Sequence, residues 1–247
     1  MEISGNTVLI TGGGSGIGFA MAKKFLELGN TVIIIGRNTE KLKEASVKLG
    51  NLDYIQCDIT KGKDIKDLVK TVKKRFPEVN LLINNAGLAH TYYLTEPKVD
   101  AHRRAKEEMD TNYLSIVRLC EAFLPVFRER ANAAIINISS ITAFAPARPL
   151  PTYGVSKAAL HAYTKVLRLS VQPLGIKVFE VMPPLVNTEF SKEVGGSKGM
   201  DPEAVAQRLI DGLLGDEHEI HVGQTADFYK IYLSSPHKAM ALMNSDS

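Results

Sequence analysis

Cysteine is scarce in this 247-residue chain, which has only Cys57 and Cys120. Each stands in an apolar segment, so no disulfide framework is expected and a reduced compartment fits. Long apolar runs are missing too: none reaches the roughly 18 residues a membrane-spanning helix needs, and no membrane partner is expected. The opening Met1-Glu2-Ile3-Ser4-Gly5-Asn6 lacks a basic leader, an apolar signal core and a cleavage pattern. Cytoplasmic residence is therefore the expectation. Nor is there a large charge imbalance. A net charge of +3, spread along the chain, argues against a nucleic-acid partner. The lysine-rich stretch 61–75 interleaves Ile65, Leu68, Val69 and Val72 at helical spacing and reads as a solvated helix face. No internal repeat or linker divides the chain. Its length suits one domain, 1–247, with a substantial core.

What is present is an alternation of short β-branched apolar runs with longer segments of helical period. Seven strands are predicted, over 7–11, 31–35, 53–58, 81–84, 134–139, 177–182 and 220–222. Their continuous apolar character implies burial on both faces, with helices such as 16–28, 41–49 and 65–76 as the cover. The expected architecture is α/β, a doubly wound parallel seven-stranded sheet (Rossmann-like) with right-handed crossovers, in a single domain. Gly29-Asn30 reads as a left-handed helix cap and Asp201-Pro202-Glu203 as a helix start. Residues 193–200, with three glycines, read as a flexible surface loop.

Two motifs carry chemistry. Thr11-Gly12-Gly13-Gly14-Ser15-Gly16-Ile17-Gly18 joins a strand to a helix so that backbone N–H groups and the positive helix end can face a pyrophosphate. Far downstream, Tyr153 and Lys157 project from one helix face on successive turns, close enough for an ammonium to stabilise a phenolate. Alone, the first could be an empty βα turn and the second a chance spacing. Their order and separation point to carbonyl redox chemistry.

With these motifs the chain resembles the short-chain dehydrogenase/reductase family in its single-domain form, over nearly its whole length. Asn84-Asn85-Ala86-Gly87 matches the family's turn after the fourth strand, Asn112 falls where the family has a catalytic asparagine, and Asn137-Ile138-Ser139-Ser140 matches the strand bearing the catalytic serine. In the family that serine stands thirteen residues before the tyrosine, which selects Ser140 over Ser139. The resemblance implies Asn112, Ser140, Tyr153 and Lys157 as catalytic residues. Ser140 would donate to a substrate carbonyl, Tyr153 would deliver the proton, and Lys157, together with an oxidised nicotinamide ring, would bring the phenol toward useful pH; Lys157 would also hold ribose hydroxyls. Asn112 would, on the family pattern, hold a water with its helix backbone. Gly12, Ser15, Gly16, Ile17 and Gly18 are expected around the phosphates, and Asn85, Ala86, Gly87, Pro183, Val186 and Thr188 beside the rest of a nicotinamide dinucleotide.

Cofactor choice is read at the end of the second strand, where an acidic residue would favour NAD(H). Here Gly36 stands there, followed by Arg37 and Asn38. A guanidinium suits a 2′-phosphate, so NADP(H) is favoured over NAD(H), which stays open as the alternative. Asp58, with Ile59, is expected at the adenine. One departure from the family is Pro183-Pro184 in place of Pro-Gly, a stiffer loop that resembles a bacterial DltE-like branch. His218 and His221 have no evident third ligand, and no metal is expected. The expected partner is a small-molecule carbonyl or alcohol. A protein that only senses or scaffolds a dinucleotide is the alternative, but it would be marked by loss of Tyr153 or Lys157. A homodimer or homotetramer is expected because Tyr113, Ile116, Val117, Leu119, Cys120, Phe123, Leu124 and Phe127 form an apolar face wider than one sheet contact requires.

Overall fold

Val8 and Ile10 of the first strand pack into one apolar cluster while Leu9 between them packs into another, because successive strand side chains point to opposite faces. That alternation, repeated along buried strands, produces a sheet covered on both sides. The computed structural model describes residues 1–245. Its seven strands are β1 (Thr7–Thr11), β2 (Thr31–Gly36), β3 (Asp53–Gln56), β4 (Val79–Asn84), β5 (Ala134–Ile138), β6 (Lys177–Met182) and β7 (Glu219–His221). All pairings are parallel, in the order β3-β2-β1-β4-β5-β6-β7. One face is covered by α1 (Gly16–Glu27), α2 (Thr39–Lys48) and α7 (Pro202–Leu214). The other is covered by α3 (Gly62–Arg75), α5 (Ser115–Phe127) and α6 (Tyr153–Val171). Helix α4 (Ala101–Met109) runs through a single π turn, Asp110–Leu114, into α5. Helices α8 (Thr225–Ser234) and α9 (Pro236–Met243) close the carboxyl end of the sheet with a third small cluster of Ile141, Phe144, Ala145 and Met182. The chain is a single α/β domain of the doubly wound type. Among the described residues no helix is long and apolar enough to cross a membrane.

Boundaries shift from the sequence reading for local reasons. β3 stops at Gln56 because the Asp58 carboxylate takes the Thr60 amide and hydroxyl, at 3.1 and 2.8 Å, and turns the chain. β4 starts two residues earlier than expected: polar Asn80 is buried there, accepting from the Thr7 amide at 3.0 Å. α2 begins at Thr39, not 41, with Asn38 capping it. Gly29, at φ +76°, supplies the left-handed turn after α1.

One expectation is corrected outright. Residues 193–200 form no loose loop: 193–194 and 196–198 belong to short 3₁₀ turns, Glu189–Val194 and Gly196–Lys198, and the stretch is tied to the strand β6 exit by Met200 N donating to Leu185 O at 2.9 Å and Asn187 N to Met200 O at 2.8 Å. A side chain at Gly199 would fall 2.7 Å from Val186 C, so glycine there serves close packing rather than mobility. In the π turn and α5, Tyr113, Val117 and Leu124 are half-buried. Ile116, Leu119, Cys120, Phe123 and Phe127 are all buried within the one chain.

Candidate active site

Glycine is obligatory where β1 meets α1. A Cβ on Gly18 would lie 2.4 Å from the Gly12 carbonyl oxygen, and one on Gly12, at φ +67°, would lie 2.9 Å from Asn85 Nδ2. The Asn85-Ala86-Gly87 turn after β4 braces this crossing. Asn85 Nδ2 donates to Thr11 O at 2.9 Å and Gly12 O at 3.2 Å, while the Asn85 and Ala86 amides both donate to Thr11 Oγ1 at 2.9 and 3.0 Å. Ser15 at the helix N-cap makes no side-chain cap bond, and the first turn of α1 carries no acidic residue. Its N–H groups and positive end thus face the cavity free for an anion. That cavity, about 1120 Å³, runs along the carboxyl end of the sheet and is lined by Gly12, Ser15, Gly16 and Ile17 at this end. An elongated, phosphate-bearing nucleotide fits this donor set and volume.

Beyond the glycine turn the wall continues through Gly36, exposed Arg37, Asp58 and Ile59. Burial pushes the Asp58 carboxyl up, but the bonds from Thr60 and the charges of Arg37 and Lys61 outweigh it and hold it below the ordinary range. Asn38 is a correction: it is absent from the wall, because its Oδ1 accepts the Lys41 amide at 3.0 Å as the cap of α2. Gly18 sits beneath the wall, under Gly12.

The other end of the cavity is built from side chains. Ser140, extended at the exit of β5, accepts from Thr142 N at 3.1 Å and Thr142 Oγ1 at 3.0 Å. Both lone pairs are occupied, so its own proton is left to point outward. Tyr153 opens α6 and is 8% exposed. Lys157, one turn later, donates to Ile138 O at 2.8 Å, and its Nζ lies 5.6 Å from the centre of the Tyr153 ring. Burial holds the Tyr153 phenol above its ordinary value; a bond with Ser140 pulls it down and the Glu108 charge pushes it further up. Burial drops the Lys157 ammonium as well, to about 8, with the Glu180 charge opposing. A phenolate buried without a bound partner is costly, and that cost exceeds what a lysine at this distance returns.

Ser140, Tyr153, Lys157, Asn85, Ala86, Gly87, Pro183, Val186 and Thr188 all line the cavity. Asn112 does not. It is fully buried in the π turn, where its side chain accepts from Leu88 N at 2.8 Å and donates to Leu88 O at 2.7 Å and Ser156 Oγ at 2.9 Å. The sequence reading missed Phe190, whose ring centre lies 6.1 Å from that of Tyr153, and the roof of Phe228, Leu242 and Met243. It also missed Glu108 and the buried pair of Glu180 with His161, at 2.8 Å. Spacing to Asn112 is the only signal that could have found Glu108. His218 and His221 stack instead on Phe179 and Tyr229.

A sequence model described as short chain dehydrogenase matches residues 6–198. The uncharacterized oxidoreductase DltE of Bacillus subtilis (strain 168) is 34% identical over 231 residues, covering 89% of either chain. The backbone is similar to a short chain dehydrogenase from Burkholderia cenocepacia J2315 solved in complex with NADP, at 25% identity, TM-score 0.86 and full coverage of both chains. A short chain dehydrogenase/reductase from Burkholderia phymatum solved with NAD, at 19% identity, shares the fold with TM-score 0.86 over 100% of this chain and 98% of its own.

Proposed function

We propose that this chain, which belongs to the short-chain dehydrogenase family of NAD(P)-dependent oxidoreductases, interconverts a carbonyl and an alcohol on a small to medium-sized substrate, with NADP(H) preferred. The observation that carries the reading is the meeting of Ser140, Tyr153 and Lys157 on one cavity wall, with the Ser140 proton left free by Thr142. A bound nicotinamide dinucleotide supplies or accepts the hydride. Ser140 donates to the carbonyl oxygen, and Tyr153 gives that oxygen its proton as the carbon is reduced; in oxidation the phenolate takes the proton back. Lys157 orients ribose hydroxyls and places a positive charge near the phenol. Asn112 acts at one remove, holding Leu88 and Ser156.

Arg37 on the wall, with Gly36 where an acid would exclude a 2′-phosphate, supports NADP(H). At the reactive end Ala147, Leu150, Phe190, Phe228, Leu242 and Met243 line the space. These apolar side chains support a substrate with an apolar body. Half-buried Tyr113 and Tyr163, with exposed Leu114 and Val155, support self-association as a homodimer or homotetramer; sedimentation at micromolar concentration tests it. The test of function is oxidation of NADPH against a panel of aldehydes, ketones, β-keto esters and quinones, with alcohols in reverse. Turnover of at least one class with Tyr153-dependent kinetics is expected. Binding of NADPH with no turnover across the panel would overturn it.

A further inference from the structure

Two polar rungs, one helical turn apart, fasten α4 and its π turn to α6. In one, Asn112 Nδ2 donates to Ser156 Oγ at 2.9 Å; in the other, Thr152 Oγ1 donates to Glu108 Oε2 at 2.5 Å. Glu108 and Asn112 are four residues apart, as are Thr152 and Ser156, so the rungs stack on successive turns and bracket Tyr153. The same two side chains hold the segment that follows β4. Asn112 is bonded to the backbone of Leu88, while Glu108 Oε1 accepts the His90 amide at 2.7 Å. The Tyr92 hydroxyl lies 2.6 Å from Thr152 Oγ1. With the Thr152 proton given to Glu108, Tyr92 is the donor of that bond.

Thr152 stands at the N-cap of α6, yet its hydroxyl makes no cap bond. A threonine there ordinarily satisfies an orphan N–H of the first turn. Its hydroxyl is diverted to Glu108, which is 0% exposed. Among the described residues no cation pairs with this carboxylate. On its own helix Arg104 lies over the Tyr92 ring, 4.8 Å from its centre, and the His90 imidazole faces Glu107 at 2.8 Å. Glu107 is also bonded to Arg103. Across the interface on α6 the ionisable group that feels its charge is Tyr153. A fully buried carboxylate without a counter-charge is costly and needs a reason.

We propose that Glu108 is a positioning residue for Tyr153: through Thr152 it fixes the first turn of α6, and so the aim of the Tyr153 hydroxyl, as Asn112 does through Ser156 one turn further on. This rests on the reading of Tyr153 as proton donor. Its negative charge adds a second effect, pushing the buried phenol further toward its protonated form. That is the form a carbonyl reduction consumes.

The test compares the full-length wild type, Glu108→Gln and Thr152→Val. The Tyr153 phenolate is titrated by ultraviolet difference absorption against matched chains carrying Tyr153→Phe, and dinucleotide-dependent carbonyl reduction is measured alongside. Glu108→Gln is expected to bring the Tyr153 titration down and to slow kcat roughly tenfold. Thr152→Val, which keeps the charge and loses the rung, is expected to slow kcat several-fold without moving the titration or the KM for dinucleotide. An unmoved titration in Glu108→Gln would overturn the charge effect, and wild-type kcat in Thr152→Val would overturn the positioning. Should Glu108→Gln fail to fold, Thr152→Val still decides the positioning claim. The titration needs no substrate, so a wild type that turns over nothing would defeat the proposed function and leave the Glu108 result readable.

Discussion

At the β1–α1 end of the cavity the wall is glycine and backbone, whereas at the β5–α6 end it is a set of buried side chains that hold one another. The first end works by leaving atoms out: Gly12, Gly16 and Gly18 clear a path that any Cβ would obstruct. The second works by putting polar atoms in, with Asn112, Ser156, Glu108 and Thr152 all buried or half-buried beneath Tyr153. Steric demands of the first kind are met by omitting a side chain at positions within one short turn and act on binding and stability. Networks of the second kind join residues 44 positions apart and act on the chemistry.

The contrast is broken most severely at Tyr153. Tyr153→Phe removes the transferable proton and keeps the ring, so turnover should fall by about two orders of magnitude or more while dinucleotide titration by fluorescence stays near wild type. More than roughly a tenth of the rate remaining would take the proton transfer away from this residue. At the opposite end, Gly18→Ala should do the reverse kind of damage. Its Cβ would meet the Gly12 carbonyl at 2.4 Å, and backbone on both sides cannot yield. A stability loss of about 1–3 kcal/mol, read in urea unfolding, and weaker binding of either dinucleotide are expected.

Arg37→Ala sharpens the comparison within the binding end. Loss of one charge-assisted contact should weaken NADPH roughly tenfold and leave NADH unchanged by calorimetry; equal loss for both would remove Arg37 from cofactor choice. A test of a different kind concerns Lys157. Burial brings its ammonium from 10.5 to about 8, so between those values the unfolded chain holds a proton that the folded chain has released. Stability from this group therefore rises with pH across that window. Unfolding midpoints of wild type minus those of Lys157→Met should increase from about pH 8 to about pH 10. Cys57 and Cys120, raised to about 12 by burial, act in both chains and cancel in the difference. A flat difference would show that Lys157 stays charged when buried.

The same division explains what could be read from residues alone. The strands announced themselves as unbroken β-branched runs, and the glycine turn carries its steric requirement in its own letters. Ser140, Tyr153 and Lys157 could be named from spacing, but the burial that raises the phenol could not be read there. Nothing local distinguishes Glu108 from its half-buried neighbour Glu107, because what buries it is Thr152 arriving from α6. Asn38 looked like a ligand contact for the opposite reason: it is next to Arg37 in sequence, yet a helix start claims its side chain. Residues 193–200 read as mobile because glycine permits both freedom and close packing, and only the contact with Val186 and Leu185 decides between them.

The strand order also sets a schedule. β1 pairs with β2 almost at once, but its other neighbour begins at Val79, and the next strand after that, β5, begins at Ala134. At a synthesis rate of ~5–20 residues per second, the half-sheet β3-β2-β1-β4 can exist for several seconds before β5 has been made. During that wait the β4 edge, Val79–Asn84, destined to be buried along its whole length, has unpaired N–H and C=O groups and no cover. A bare apolar edge is a template for pairing with another chain. Slowing translation between residues 84 and 134 should therefore increase the fraction of newly made protein lost to aggregates, whereas the same delay placed after Met182, when β4, β5 and β6 are all available, should cost far less.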